Sequence, residues 1–344
     1  LALGAGSFDQ ASVPAPGAGP AAPRVAPYLA GQLRGKGQLL SNYYAVGHGG
    51  LTGAIALISG QPPNPDTQAE CPLFSDMAPT GLGASGLAVG RGCVYPAAVR
   101  TIADQLTTAG RSWKAYVEDM DRQPGQSPTC RHPIPGGPDI TALDRPGDGY
   151  AMRHNPFAYF HSVIDGPDCA KNDLPLSRLS TDLRSERKTP SFAYLAPSLC
   201  NGGDVAPCAD GRPGGYPAAD AFLKRWVPEI LRSPAYRKSG LLVITFDEAP
   251  AVGPAADSRA CCGEQPGLAT PNPGGLLKPG PGGGKVGALV LSPFVAGGDV
   301  NDRPYNHYAL LHSMQSLLGL GSLGYSGQRG LPTFGSDVLT KPAL

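Results

Sequence analysis

The sequence has no excess of charge of either sign, no long hydrophobic run and few aromatic side chains. Its 344 residues include 28 Lys and Arg against 27 Asp and Glu, a formal charge of +1, and Phe, Trp and Tyr make up 7%. Nucleic-acid binding needs a basic stripe, and a membrane-spanning helix needs about 20 mostly apolar residues in succession. Because the sequence has neither, nucleic-acid partners and a membrane span are not expected.

Glycine and proline are abundant instead. The 48 Gly and 38 Pro make up a quarter of the chain, a share at which low-complexity disorder has to be considered. Hydrophobic residues still reach 41%, and the apolar runs Leu241–Phe246 and Val286–Leu291 can form a core. We therefore expect one globular domain over residues 1–344, with its N-terminal strand trimmed or processed because the chain opens on Leu1. Long Gly/Pro-rich loops are predicted at Gly60–Gly92, Asp121–Gly149 and Ala249–Gly284.

Eight cysteines indicate an exported protein with disulfides, and reduced cysteines in a cytosolic enzyme are the alternative. No Cys-x-x-Cys pair is present, which argues against a zinc site. Local pairing is expected for Cys71 with Cys93 and for Cys200 with Cys208. Cys261 and Cys262 are either bonded to each other or to distant cysteines, since eight cysteines allow 105 connectivities.

Short β-like runs alternate with helical patterns, which is typical of an α/β fold with a largely parallel sheet. The predicted strands are Gly37–Val46, Trp113–Glu118, Ser191–Leu195, Leu241–Phe246 and Val286–Leu291. The predicted helices are Ala26–Leu33, Leu51–Ile58, Pro96–Ala109, Asn155–Ile164, Ala218–Leu231 and Asn306–Leu318.

Two adjacent carboxylates, Asp247 and Glu248, end the apolar run that begins at Leu241. At the C-terminal edge of a sheet, such a pair suits a hard metal ion or general acid–base chemistry. The alternative is a solvated turn that simply ends the strand. A small-molecule ligand or substrate is expected at this edge.

Four further polar residues are candidates. His48 and Thr52 lie in a glycine-rich turn before a predicted helix, where backbone N–H groups can bind an anion. The structural alternatives are a loop-bonded histidine and a helix N-cap, respectively. His154 lies in the Arg-His-Asn-Pro sequence that begins at Arg153, and His307 is either a ligand or a packed aromatic neighbour.

The chain resembles the secreted phosphoesterases of the acid phosphatase and phospholipase C type, within the alkaline phosphatase superfamily. The motifs that carry the resemblance are Ser41-Asn-Tyr-Tyr-Ala-Val-Gly-His48, Ala54-Ile-Ala-Leu-Ile-Ser-Gly-Gln61, Cys93-Val-Tyr-Pro96, Arg153-His-Asn-Pro-Phe157, Leu242-Val-Ile-Thr-Phe-Asp-Glu248 and Pro304-Tyr-Asn-His-Tyr308. It implies a three-layer α/β sandwich, a secreted protein, and phosphate-ester hydrolysis by a metal-bound Ser or Thr.

Several positions depart from the pattern of that family. The resemblance places Gly4 and Ala5 where the family has two metal ligands, and Gly50 where it has the nucleophile. Gly53 takes the place of an Asn, and Asp204 that of a His. Glycine has no side chain with which to attack phosphorus, and a carboxylate site that loses ligands binds metal more weakly.

The residues that remain for chemistry are His48, His154, Asp204, Asp247 and Glu248. Asp247 and Glu248 are the metal ligands if any divalent ion is bound, and such binding is expected to be weak or absent. Glycine at 4, 49, 50 and 53 is expected to enlarge the pocket.

Three hypotheses follow from this sequence. The first is a phosphoesterase-family protein with a degenerate site, impaired in ordinary phosphate-ester hydrolysis. The second is a repurposed enzyme that uses His, Asp and Glu for metal-independent acid–base chemistry in the enlarged pocket. The third is a non-catalytic binding protein.

Overall fold

The computed structural model describes residues 1–15, 17–19, 22–267 and 270–340, and its strands form a mixed α/β architecture. The strands are β1 Ala2–Leu3, β2 Gln38–Leu40, β3 Tyr43–Tyr44, β4 Ala78–Leu82, β5 Ala88–Arg91, β6 Trp113–Val117, β7 Asp173–Pro175, β8 Phe192–Ala196, β9 Leu242–Phe246, β10 Ala288–Leu291, β11 Val300–Asn301 and β12 Tyr305–Asn306. The largest sheet has the strand order β1-β9-β10-β2-β11, and a second sheet has the order β7-β6-β8. The described strands also form two separate pairs, β3 with β12 and β4 with β5.

Most of the strand pairings are parallel, which confirms the predicted fold class. The pairs β1–β9, β2–β11, β3–β12, β6–β7 and β6–β8 run parallel. Strand β10 is the exception in the largest sheet, because it runs antiparallel to both β2 and β9. Every residue of β10 is buried, as is typical of a strand covered on both faces.

The helices vary widely in length. They are α1 Phe8–Ala11, α2 Gly50–Ser59, α3 Pro65–Gln68, α4 Ile102–Thr108, α5 His161–Ile164, α6 Pro167–Asn172, α7 Leu179–Asp182, α8 Leu199–Gly202, α9 Gly215–Arg232, α10 Pro234–Ser239 and α11 His307–Leu317. Helix α2 is buried over its whole length and packs on α11, while α9 packs on α8. No helix in the described part of the chain is both long and apolar enough to cross a membrane.

Predicted elements are present, but several boundaries were wrong. The strand predicted at Gly37–Val46 is two short strands, and the helix predicted at Ala26–Leu33 is a π-helix over Tyr28–Leu33. The helix predicted from Pro96 begins at Ile102, because Thr101 caps it and forms a reciprocal capping box with Asp104.

The helix predicted at Asn155–Ile164 is divided in two. A 3-10 segment covers Pro156–Tyr159, and α5 begins at His161. Phe160 separates them because its backbone is extended and forms an isolated bridge with Tyr95.

All eight cysteines form disulfides. The predicted pairs Cys71–Cys93 and Cys200–Cys208 are confirmed. A third bond joins Cys130 to Cys169, across a sequence separation of 39. The fourth joins the neighbours Cys261 and Cys262, which settles the alternative that the sequence had left open.

Candidate active site

The glycine-rich turn after β3 leads into helix α2, and the N-terminus of this helix faces a carboxylate. The N-cap residue is Gly49, whose φ of 88° suits glycine and which offers no capping side chain. The Glu70 carboxylate accepts hydrogen bonds from the N–H groups of Gly50 (2.6 Å) and Leu51 (3.1 Å). Glu70 therefore occupies the position in which a helix N-terminus would bind an external anion.

Glu70 is held there by an unusual stretch of backbone. Glu70 has φ of 61° and the next residue, Cys71, has φ of 50°, both in the region that non-glycine residues rarely adopt. The disulfide from Cys71 to Cys93 fixes this stretch. Sequence analysis missed Glu70, because its only signals were its place beside a disulfide cysteine and within a long Gly/Pro-rich loop.

Asp247 follows β9 directly and is buried against the first turns of α2. Only 3% of its surface is exposed, so it does not lie in a solvated turn. Its Oδ2 atom lies 2.5 Å from where a Cβ on Gly50 would be, and its Oδ1 atom has no hydrogen-bond partner. Its backbone carbonyl abuts Gly53 and accepts a hydrogen bond from Nε2 of His307 at 2.9 Å.

Asp247 interacts electrostatically with three other carboxyl groups and with the guanidinium of Arg153. Burial raises the pKa of Asp247 well above its ordinary value, and the nearby charges of Asp204, Glu248 and Glu70 raise it further. Arg153 opposes this shift but does not overcome it. The surroundings of Asp247 therefore favour its protonated form over its charged form.

The side chains of His48 and Glu248 are hydrogen-bonded to each other beside the glycine-rich turn. Nδ1 of His48 lies 2.6 Å from Oε2 of Glu248, and its Nε2 donates to the carbonyl of Asp257 at 2.9 Å. The same Glu248 oxygen accepts a hydrogen bond from the N–H of Gly49 at 3.1 Å. Because both ring nitrogens of His48 face protein oxygens, neither is free to accept a proton from a ligand.

His154 and Asp204 form a second pair. Nδ1 of His154 donates to the carbonyl of Pro197 at 2.9 Å, and its Nε2 lies 3.3 Å from Oδ1 of Asp204. Although burial raises the pKa of Asp204, the charge and hydrogen bond of His154 and the charge of Arg153 hold it below its ordinary value. The second oxygen of Asp204, Oδ2, is buried without a partner.

The two remaining candidates, Thr52 and His307, are both buried in the protein interior. Thr52 is the third residue of α2 rather than its N-cap, and its buried Oγ1 has no hydrogen-bond partner. His307 is fully buried, and Tyr43 lies 3.0 Å from its Nδ1. Burial lowers the pKa of His307 to about 4, so the ring is neutral and donates through Nε2.

The glycines do not enlarge a pocket, contrary to the expectation from the sequence. A Cβ on Gly4 would meet the Asp204 carboxylate, and one on Gly50 would meet that of Asp247. A Cβ on Gly53 would meet the Asp247 carbonyl, and one on Gly49 would lie 2.9 Å from the carbonyl oxygen of Gln68. The space beside all four glycines is filled by the protein itself.

In the described part of the chain, neither group of three close His, Cys, Asp or Glu donors includes Asp247 or Glu248. Each of those groups contains a disulfide instead, Cys130–Cys169 or Cys200–Cys208. The Oε2 atom of Glu248 is bonded to Nδ1 of His48 and to the N–H of Gly49, which occupies one of its two carboxylate oxygens. The metal-ligand role of Asp247 and Glu248 stays a prediction.

We expect Gly53→Ala to destabilise the protein more than Gly50→Ala. The new Cβ at 53 meets a backbone carbonyl, whereas that at 50 meets a side chain that can rotate. Overpacking costs about 1–3 kcal/mol, and alanine returns up to about 1 kcal/mol of helix propensity. Urea unfolding should give a loss of about 2 kcal/mol for Gly53→Ala and under about 1 kcal/mol for Gly50→Ala. Gly35→Ala, where the Cβ position is open, is the control, and equal losses at 50 and 53 would contradict the packing argument.

Glu70 should make stability depend on pH. Burial raises its pKa from 4.5 to about 7, while Arg153 and the two N–H donors lower it only in part. Between pH 4.5 and pH 7, Glu70 keeps its proton in the folded protein and releases it in the unfolded chain. The free energy of unfolding is therefore higher below pH 4.5 and falls as the pH rises through 7. Glu70→Gln should gain stability relative to wild type across that window, by at most about 3 kcal/mol. Chemical unfolding at several pH values, with exposed Asp121→Asn as control, checks this, and a constant difference would refute it.

The chain is similar in sequence to fungal acid phosphatases. Over 300 residues it is 24% identical to a phosphate-repressible acid phosphatase of Penicillium chrysogenum, covering 85% of this chain and 55% of that protein. Over 297 residues it is 23% identical to an acid phosphatase of Aspergillus fumigatus, covering 85% of this chain and 51% of that protein. The chain thus spans about half the length of the curated relatives that it matches.

Solved structures with a similar backbone include a protein in the alkaline phosphatase superfamily from Vibrio parahaemolyticus, with a TM-score of 0.45 and 14% identity, covering 86% of this chain and 61% of that one. Another is a putative sulfatase from Bacteroides thetaiotaomicron, with a TM-score of 0.47 and 12% identity, covering 99% and 74%. The sequence pattern of the Phosphoesterase family matches residues 23–321. The chain therefore belongs to the Phosphoesterase family.

Proposed function

We propose that this chain is a phosphoesterase-family protein with a degenerate active site, impaired in ordinary phosphate-ester hydrolysis. Its relatives among the fungal acid phosphatases support a small-molecule ligand in this region. Its four disulfides support an exported protein, since such bonds persist in oxidising compartments.

The observation that carries the proposal is the carboxylate of Glu70 on the N-terminus of α2. The N–H groups of Gly50 and Leu51 are the donors that a phosphoryl oxygen would need, and both are bonded to Glu70. A phosphate ester would have to displace this carboxyl group and would then face Glu248 and Asp204, whose negative charges oppose a second anion. Nothing at position 50 could attack the phosphorus, since glycine has no side chain.

The glycine at position 50 and the buried position of the Asp247 side chain depend on each other. A serine at position 50 would place its Cβ 2.5 Å from Oδ2 of Asp247, so this carboxylate can adopt its present position only beside glycine. Burial in turn favours the protonated form of Asp247, and a protonated carboxyl group binds a hard cation more weakly than a carboxylate does. We infer that the loss of the side chain at 50 and a weakened affinity for metal are linked through Asp247.

Release of phosphate from an aryl phosphate tests the proposal. We expect no turnover above the uncatalysed rate across pH 4–9 with Mg²⁺, Mn²⁺, Ca²⁺ or Zn²⁺, and no bound metal by elemental analysis. The double variant Asp247→Asn/Glu248→Gln should match wild type, as should the exposed control Asp121→Asn. Stoichiometric metal and hydrolysis that both disappear in the double variant, and not in the control, would overturn the proposal.

A second candidate is metal-independent acid–base catalysis by Asp204, with His154 positioning this carboxylate, since both ring nitrogens of His154 face protein oxygens. It is favoured by the buried, unpartnered Oδ2 of Asp204, an acceptor that a ligand proton could satisfy. Arg153 lies 3.8 Å from the other oxygen of this carboxylate and could bind an anionic group.

Aryl acetate and aryl sulfate, assayed with EDTA present, test this second candidate. Turnover should fall by at least about 100-fold in His154→Ala and in Asp204→Asn, the usual contribution of a general acid or base. The control is His161→Ala, whose ring pairs with Asp76 and Asp165 away from the cluster. No turnover by wild type would reject this candidate for these esters and favour a binding protein.

A further inference from the structure

The adjacent cysteines Cys261 and Cys262 close a tight turn. The N–H of Glu264 donates to the carbonyl of Cys261 at 3.3 Å. The two residues between them, Cys262 and Gly263, have φ of 66° and 70°, the left-handed pair that defines a type I′ turn. Glycine adopts this conformation freely, but cysteine does so only under constraint. The disulfide supplies that constraint.

This disulfide contributes little to overall stability. In the chain-entropy description, a crosslink stabilises a protein by restricting the unfolded chain, and the effect grows with the length of the closed loop. The Cys130–Cys169 bond spans 39 residues, whereas the Cys261–Cys262 bond spans one. Stability therefore does not explain why this bond is present.

The same disulfide is the most accessible of the four. Both Cys261 and Cys262 are half-buried, whereas each of the other three bonds includes at least one buried cysteine. Thiol–disulfide exchange requires a thiolate to approach a sulfur atom, and exposed or constrained disulfides are the labile ones.

The turn is connected to the start of helix α11. Oε1 of Glu264 accepts a hydrogen bond from Nδ2 of Asn306 at 2.6 Å. Oδ1 of Asn306 in turn caps α11 by accepting from the N–H of Ala309 at 2.8 Å. In addition, Sγ of Cys261 lies 3.2 Å from the carbonyl oxygen of Tyr305. Both the disulfide and the carboxylate after it thus contact the strand that leads into α11.

Helix α11 begins with His307, which contacts the candidate site. Its Nε2 donates to the carbonyl of Asp247, and that carbonyl is packed against Gly53 of α2. A continuous series of contacts therefore runs from the disulfide through Glu264 and Asn306 to the backbone of Asp247.

We propose that Cys261–Cys262 is a redox switch, opened by a dithiol, that controls the anchoring of Asp247. The dithiol transfers two electrons and two protons to the bond, leaving two cysteine thiols and its own cyclic disulfide. Without the crosslink, Cys262 leaves the left-handed conformation and Glu264 moves away from Asn306. The start of α11 and the His307–Asp247 hydrogen bond then loosen. The switch does not depend on whether the chain hydrolyses phosphate esters.

The first test is the order of reduction. The intact protein is incubated with graded dithiothreitol without denaturant, its thiols are alkylated, and its peptides are analysed by mass spectrometry. Cys261 and Cys262 should be alkylated at a dithiol concentration at which the other six cysteines remain bonded. Reduction of Cys130–Cys169 before or together with this pair would overturn the proposal.

The second test is hydrogen exchange at the N–H of Ala309, which Asn306 caps. Selective reduction should speed this exchange about five-fold, the factor that corresponds to one lost hydrogen bond. Glu264→Ala should give the same increase without reduction, and reduction of that variant should add nothing. Leu276→Ala, altered in a side chain of the same loop that is 96% exposed, is the control. Unchanged exchange in the reduced protein, or a further increase when Glu264→Ala is reduced, would overturn the proposal.

Discussion

The buried carboxylic acid of Asp247 is the constraint on which the rest of the candidate site depends. Its side chain fills the space that any side chain at position 50 would need, and its carbonyl fills the space at 53. Helix α2 can approach β9 this closely only because both positions are glycine. Burial among other carboxylates raises the pKa of Asp247 and so favours its protonated form.

The neighbouring carboxylates each have a partner within the protein. Glu70 is bonded to the N-terminus of α2, Glu248 to His48, and Asp204 to His154. These bonds offset much of the desolvation cost of the charges and leave few donors for a ligand. The cluster is therefore arranged to stabilise its own charges, which is the physical basis for proposing impaired hydrolysis in a member of the Phosphoesterase family.

Sequence reasoning found the strands near this site and most of the polar residues in it. The run Leu241–Phe246 predicted β9 because a short apolar run rich in β-branched residues is typical of a buried strand, and the two carboxylates after it follow from chain connectivity. Helix ends were less predictable. The start of α4 depends on a side-chain bond between Thr101 and Asp104, and α5 begins late because Phe160 pairs with Tyr95. Such contacts compete with local propensity and leave little trace in the pattern of apolar residues.

The sequence by itself determined the fold class, the family resemblance, two disulfide pairs and the absence of a side chain at position 50. These follow from residue identity and local spacing, which are properties of the chain before it folds. Only the tertiary structure decided that the glycines are packed rather than open, that Glu70 binds the N-terminus of α2, and that Cys130 pairs with Cys169. Each of these depends on distant segments meeting: Glu70 is 20 residues from Gly50, and Asp247 lies 194 residues further along the chain than Gly53. Such distances are set by the packing of the whole core, so no local pattern encodes them.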